Sequence, residues 1–263
     1  MPTDLLSILS PTNLILFIII FTRLSGLIAT APLISTYPIP MQIKVWFLAS
    51  VAFIMFPVVA AKMTFIVPTS VPILILVMIK EFMIGYIAGF VANVVFIGVE
   101  IAADLVSMQI GLTAAQAMNP MTGDTSPILA QGYTILASML FIGLNGYQWI
   151  FMAVFKTFQL IPPGYNLVLS GTFVQNVIYL TSQIFIIGLN IALPIFSVLV
   201  ITDVLLGFMT KMMPAMNIFM VALPIKIYIG LVLFIMLIPP MCSHIAMLLE
   251  KYLTSITSVL GGL

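Results

Sequence analysis

The sequence predicts an all-α integral membrane protein with about six long, proline-kinked apolar helices that form helical hairpins within a larger helical assembly. Its 263 residues are 63% hydrophobic and only 6% charged, and the mean hydropathy is +1.30, which places the chain outside the soluble globular class. Charge-free stretches recur at about the ~20 residues that a helix needs to cross a bilayer. Short proline-containing segments separate these stretches. A large soluble domain does not fit.

Charge and cysteine content exclude several classes of function. The 8 basic and 7 acidic residues give a formal net charge of +1, so the chain has no polybasic patch for nucleic acid. Cys242 is the single cysteine, which excludes an intrachain disulfide and a thiolate metal cluster. Residues 1–4 lack the positive charge of a cleaved signal peptide, so we expect the first apolar run to be retained as a helix. We expect no cofactor.

The first two apolar runs each predict one membrane helix. Leu14–Ile34 predicts the first, and the prolines that follow it remove backbone donors and stop the helix. Val45–Ala61 carries no charge and predicts the second. Lys62–Pro72 is expected to be a short connector.

The third apolar segment is too long for one ordinary membrane crossing. A helix from Ile73 to about Gly111 has about 39 residues and a length of ~58 Å, nearly twice a ~30 Å hydrocarbon core. It must kink, leave the bilayer or lie inside an assembly. A shorter alternative spans only Phe82–Val99, with charged residues at both interfaces. Polar residues follow one face of its second half, which favours a wet cavity or a protein partner: Asn93, Glu100, Asp104, Ser107 and Gly111.

The remaining segments alternate between apolar runs and connections. Met118–Pro127 predicts a loop, and Ile128–Val154 predicts one charge-free helix that closes near Lys156 and a Pro-Pro-Gly turn. A linker is expected at about 165–175, before a helix over Val177–Thr202. Asp203–Pro214 predicts a short polar connection.

Ile218–Met241 is the last strongly apolar run, and an amphipathic helix follows it. Prolines inside three runs, Pro57, Pro194 and Pro224, predict bends that suit a curved assembly or a broken-helix transporter. In the tail, apolar residues recur at helical spacing, opposite Glu250 and Lys251. This apolar face comprises Ile245, Leu248, Leu249, Tyr252, Leu253, Ile256 and Val259.

The residues that bear chemistry do not indicate an enzyme. His244 is alone on the polar side of the tail, and the glycines are dispersed through apolar helices rather than gathered in a phosphate-binding loop. Glu100 and Asp104, one helical turn apart, are either a proton or cation site or the solvated end of a helix.

Charged side chains within or beside the apolar runs are the candidates for buried or inter-subunit contacts. Arg23 lies in the middle of the first run, where a charge costs roughly 2.5 to 3.5 kcal/mol on insertion scales. It could bind Glu81, Asp104, Asp203 or carbonyls at a kink. Lys80 and Glu81 point ~100° apart on a helix and so contact separate partners. The set is Arg23, Lys80, Glu81, Glu100, Asp104, Asp203 and Lys211.

Five motifs in register over most of the chain resemble the FliR family of type III secretion export gates, in forms closer to the flagellar than to the virulence members. They are Arg23-Leu-Ser-Gly with Thr-Ala-Pro32 and Ile-Pro40; Met-Gln109-Ile-Gly-Leu-Thr with Asn119-Pro120; Leu-Asn145-Gly146-Tyr-Gln-Trp149 with Thr157-Phe158 and Pro162; Ala-Leu-Pro194; and Asp203-Val-Leu-Leu-Gly207 with Met213-Pro214, Asn217-Ile218-Phe219 and Leu-Pro224.

The resemblance implies a flagellar export-gate subunit of the bacterial inner membrane and the flagellar basal body. Such a subunit assembles with FliP-like, FliQ-like and FlhB-like subunits around a pore for unfolded exported proteins. It further implies a FliP-like portion over 1–165 and a FliQ-like hairpin with an amphipathic C-terminal helix over 175–263.

The family also uses the loop after the third helix as a plug, which corresponds to the region near 109–127. Its residues here are Gln109, Gly111, Leu112, Met118, Asn119, Pro120 and Met121. Ala114 and Ala117 stand where enterobacterial members carry bulky aromatics. The resemblance therefore assigns the seal to Leu112, Met118, Met121 or neighbouring subunits.

The sequence leaves three alternatives to the flagellar gate open. A small ion-coupled secondary transporter would use Glu100, Asp104 and Arg23 at a broken-helix site. A virulence injectisome gate would share the same motifs. A purely structural scaffold would have no moving part.

Overall fold

The computed structural model describes residues 10–35, 37–62, 70–112, 128–163, 171–213 and 218–260. Within these ranges the chain forms seven helices and no strand, which confirms the all-α prediction. They are α1 (Pro11–Thr30), α2 (Met41–Lys62), α3 (Val71–Ile110), α4 (Ile128–Gly143), α5 (Gly146–Leu160), α6 (Gly171–Met212) and α7 (Ile218–Leu260). Five of them are long and apolar enough to cross a membrane, and the bent pair α4 and α5 makes a sixth candidate.

Helix α1 starts at a polar cap and stops before a proline. The Ser10 hydroxyl accepts a hydrogen bond from the Asn13 N–H, and Pro11 occupies the first turn, where its missing donor costs nothing. The helix ends at Thr30, four residues before the predicted end at Ile34. Pro32 disfavours the helical conformation of Ala31, which is extended.

Helices α2 and α3 agree with the sequence prediction. Helix α2 begins directly after Pro40 and retains Pro57 inside it. Helix α3 is one helix of 40 residues, ~60 Å long at 1.5 Å per residue. Lys80 and Glu81 do not interrupt it, since the Glu81 side chain is buried with a cationic partner.

The prediction of one helix over Ile128–Val154 is wrong. Helices α4 and α5 meet at an angle of 66°. The break falls at Asn145, whose φ of 55° is left-handed. Gly143 and Gly146 flank it, and glycine weakens a helix interior by ~1 kcal/mol relative to alanine. This cluster ends the first helix and starts the second.

Helices α6 and α7 are longer than predicted. Helix α6 begins at Gly171, inside the expected linker over 165–175, and continues to Met212 through the expected connection Asp203–Pro214. The Asp203 carboxylate has partners within the helical packing and need not leave the helix. Helix α7 joins the last apolar run to the tail despite prolines at 239 and 240.

The amphipathic character of the tail is confirmed. Glu250, Lys251 and Thr254 are exposed, whereas the opposite face is buried at Ile245, Leu249, Tyr252, Leu253 and Ile256.

The chain folds into two compact units. Unit 1 comprises Met1–Asn93, Asn145–Leu180 and Glu250–Leu263, and unit 2 comprises Val94–Leu144 and Thr181–Leu249. In unit 1, α1 packs against α2 and against the first half of α3. In unit 2, the second half of α3 packs against α6 at the close approach of Gly98 and Gly188. Among the described residues, each unit contains charged side chains that bind partners on other helices.

Candidate gating and assembly site

The network of unit 1 surrounds Arg23, whose side chain is fully buried. Its Nε donates to Glu81 Oε2 at 2.6 Å, its Nη1 donates to Thr157 Oγ1 at 3.1 Å, and its Nη2 donates to the Ile161 carbonyl at 3.0 Å. The guanidinium carbon lies 4.0 Å from the centroid of the Phe158 ring. Three helices, α1, α3 and α5, thus converge on one buried cation. Its hydrogen bonds and its ion pair offset the cost of taking the charge out of water.

Small residues bring α1 and α3 close enough for this pair to form. A Cβ on Gly26 would collide with the Phe82 carbonyl, and a Cβ on Gly85 would collide with the Arg23 carbonyl. Beside them, Thr30 Oγ1 donates across the interface to the Tyr86 carbonyl at 2.9 Å. Close backbone approach at small residues is typical of membrane helix pairs.

The network of unit 2 centres on Asp203 of α6. Its Oδ1 lies 2.8 Å from the Lys226 Nζ of α7, and its Oδ2 accepts from that Nζ at 3.0 Å. The same Oδ2 accepts from the Gln109 Nε2 of α3 at 2.9 Å. One carboxylate therefore links three helices, and it does so at the end of α3.

The end of α3 is also seated on α7 by apolar contacts. Gly111 follows the helix with a φ of 91°, a conformation that glycine adopts without strain. A Cβ on Gly111 would meet the Leu223 side chain of α7. The fully buried side chain of Ile110 packs against α7 at Gly230, where a larger residue would collide with it. Gln109, Gly111 and Leu112 are thus the described start of the predicted plug. Met118, Asn119, Pro120 and Met121 lie outside the described residues.

The other predicted contact residues are more exposed. Glu100, Asp104 and Lys211 are exposed and Lys80 is half-buried. The polar face predicted along the second half of α3 is not exposed along its whole length. Ser107 is fully buried, and its hydroxyl has no hydrogen-bond partner among the described groups. The sequence offered Glu81, Asp104 and Asp203 as acidic partners of Arg23. The structure shows that Arg23 binds Glu81.

Sequence reasoning missed three side chains of the networks, Thr157, Phe158 and Lys226, and the Ile161 carbonyl. Thr157 and Phe158 lay in a recognised motif, but nothing in their spacing connected them with Arg23. Lys226 is a lone cation inside an apolar run, the same signal that singled out Arg23. That signal could have found it.

A separate cavity of about 200 Å³ in unit 2 is lined in part by His244, Asn190, Pro194 and Pro240. It lies beside the proline positions of α6 and α7. Across the described ranges, no three of the metal-binding residue types histidine, cysteine, aspartate and glutamate gather into a cation site.

The fold and its networks define a helical membrane-type protein whose charged side chains bind one another across helices. Comparison with known sequences then gives the family: the sequence model of bacterial export proteins, family 1, matches residues 14–252, and this chain belongs to that family. It is 29% identical over 241 residues to the flagellar biosynthetic protein FliR of Escherichia coli K12, covering 90% of this chain and 91% of the relative.

Two further relatives carry the same name. The FliR protein of Bacillus subtilis 168 is 26% identical over 249 residues, covering 92% of this chain and 91% of its own. That of Aquifex aeolicus VF5 is 25% identical over 240 residues, covering 86% of each chain. The resemblance read from the five motifs is confirmed.

Proposed function

We propose that this chain is a subunit of the flagellar type III protein export gate and that it helps to form and close the pore through which unfolded flagellar proteins leave the cell. The observation that carries the proposal is the family match across residues 14–252, together with relatives named for flagellar biosynthesis. The secondary transporter is not favoured, because Arg23 is occupied by Glu81 while Glu100 and Asp104 are exposed. The flagellar names of the relatives likewise favour a flagellar over an injectisome gate.

The role is structural rather than catalytic. The buried ion pair and the Asp203 network are built from helix-to-helix contacts, which position helices. Membership of a family of export proteins supports the same role.

The partners that fit this role are FliP-like and FliQ-like subunits and an FlhB-like subunit in the bacterial inner membrane. Helices α3, α6 and α7 have 40, 42 and 43 residues and so exceed a ~30 Å hydrocarbon core by about twofold. Helices of this length suit packing against sister subunits beyond the bilayer. Residues 1–165 would serve as the FliP-like portion and residues 175–263 as the FliQ-like hairpin.

Closure of the pore would fall to the segment that begins at Gln109, Gly111 and Leu112 and continues through Met118, Asn119, Pro120 and Met121. The described part supports this role because its start is fixed on both α6 and α7. Charged side chains would bind the helices of the subunit to one another and to neighbouring subunits. The residues proposed for these contacts are Arg23, Lys80, Glu81, Glu100, Asp104, Asp203 and Lys211.

The test measures protein export in cells and ion leakage through the purified gate. Loss of this chain in its own bacterium should abolish flagella and the secretion of hook and filament proteins, and the intact chain supplied in trans should restore both. In gates purified with FliP-like and FliQ-like subunits and placed in vesicles, deletion of Gly111–Pro120 should increase potassium efflux. Normal flagella without the chain would refute the function. An unchanged efflux would refute the plug.

A further inference from the structure

We propose that Asp203 is a breakable charged joint that holds the end of α3 in the closed position of the gate. This inference rests on the proposed function. It assigns the closing of the gate to three described side chains, Gln109, Asp203 and Lys226, instead of to the plug segment alone.

The joint has a geometry in which one residue controls two contacts. Asp203 Oδ2 accepts from both Gln109 Nε2 and Lys226 Nζ, at 2.9 and 3.0 Å, so the carboxylate ties the end of α3 to both α6 and α7. Gln109 lies two residues before Gly111, where the chain turns away with a φ of 91°. A displacement of Gln109 is therefore passed directly to Gly111 and Leu112.

The exposure of the pair suits a contact that opens and closes. The side chains of Asp203 and Lys226 are 42% and 17% exposed, whereas those of Glu81 and Arg23 are 3% and 0% exposed. Breaking a buried pair strands a charge in an apolar interior, which is strongly disfavoured. The Asp203 pair reaches the surface of the chain, where water or polar groups of a neighbouring subunit can bind its charges when it separates. The Arg23 pair is thus a permanent link, and the Asp203 pair can act as a switch.

The first experiment measures potassium efflux from vesicles containing the full gate, purified with its partner subunits. Asp203→Asn and Gln109→Leu each remove one part of the joint and should increase the efflux about two- to tenfold, the effect of losing one ordinary, partly exposed hydrogen bond in the closed state. Export of hook protein in cells should persist, because the pore itself is intact.

Charge reversal provides a readout that a merely structural role would not give. Asp203→Lys and Lys226→Asp should each leak, and the double variant should restore closure, since the amide of Gln109 can turn its oxygen toward a lysine at 203. Glu250→Gln and Gln131→Leu change exposed side chains of the same chemistry away from the joint and should leave the efflux unchanged.

The outcomes separate this inference from the proposed function. The joint would be overturned if Asp203→Asn and Gln109→Leu gates showed the same efflux as the two controls. If deletion of Gly111–Pro120 still caused a leak, the proposed plug would remain supported. Failure of the double reversal to close the gate would also overturn it. Should Asp203→Asn fail to assemble, Gln109→Leu retains the ion pair and decides the question alone.

Discussion

Arg23 is the residue that most clearly links sequence to packing in this protein. A guanidinium has five N–H donors in a fixed plane. Here its three nitrogens bind a carboxylate of α3, a hydroxyl of α5 and the carbonyl of the residue that follows α5. The face of the same group lies over Phe158, an arrangement that adds cation–π attraction. A charge that would be costly alone thus becomes the point where α1, α3 and α5 meet.

Replacement of Arg23 should show how much of the stability of the fold depends on its ion pair with Glu81. Arg23→Leu leaves Glu81 buried without a cation and should destabilise the fold by about 3–5 kcal/mol. The double variant Arg23→Leu with Glu81→Leu removes both charges and should recover a large part of that loss. The measurement is the melting temperature of the assembled gate in detergent. Equal melting of the single and double variants would show that the pair is not the stabilising element.

At the scale of helices, the contact between α1 and α3 depends on the absence of side chains. Gly85 allows the two backbones to approach, and a methyl group there would press on the Arg23 carbonyl, which cannot move without moving the helix. The overpacking should also pull Arg23 away from Glu81. Glycine at this position therefore serves the ion pair as well as the helix contact.

We expect Gly85→Ala to destabilise the assembled gate by about 1–3 kcal/mol, the usual cost of overpacking. Gly132→Ala in α4 is the matched control, because its Cβ would lie 3.7 Å from the Phe234 ring, an ordinary contact. Since alanine is the better helix former, the control should be neutral or slightly stabilising. Both can be compared by thermal melting. A Gly85→Ala gate as stable as the control would contradict the close-contact argument.

The bend between α4 and α5 makes a second prediction at this scale. Asn145 has a φ of 55°, which a β-branched residue adopts only with strain. Asn145→Val should therefore cost about 1–3 kcal/mol, whereas Asn145→Gly should be tolerated. Melting of the purified gate distinguishes the two. Similar losses in both variants would mean that the side chain matters more than the backbone.

Several of these elements could be predicted from sequence because they depend on local patterns. The 40-residue α3 and the buried face of the tail follow from apolar content and helical spacing. The break at Asn145 did not stand out, since one left-handed residue changes the chain direction without changing the apolar pattern. The helical course through Asp203 and the choice of Glu81 for Arg23 depend on contacts between distant segments, which spacing alone cannot show.

At the scale of the whole molecule, the distribution of burial shows that the rest of the chain leaves most of the α7 membrane window uncovered. The 18-residue membrane window of α7 is only 6% buried inside the chain, against 61% for that of α3. Large apolar side chains such as Tyr228 and Met236 are exposed on α7. Lipid could cover a length of ~30 Å of this surface, but α7 has 43 residues, about 64 Å. We expect protein partners to cover the rest of this surface.

Two tyrosines of α7 make this argument testable with matched chemistry. Tyr228 is 72% exposed and Tyr252 is 4% exposed in the single chain. Azidophenylalanine, close to tyrosine in size, can replace either one for photo-crosslinking in living cells. If α7 packs against sister subunits, the probe at 228 should crosslink to a FliP-like or FliQ-like subunit when these are present, because an exposed side chain meets whatever covers it. The probe at 252 should react only within the chain. Lipid adducts alone at 228, in cells that assemble complete flagella, would show that this helix faces the bilayer instead.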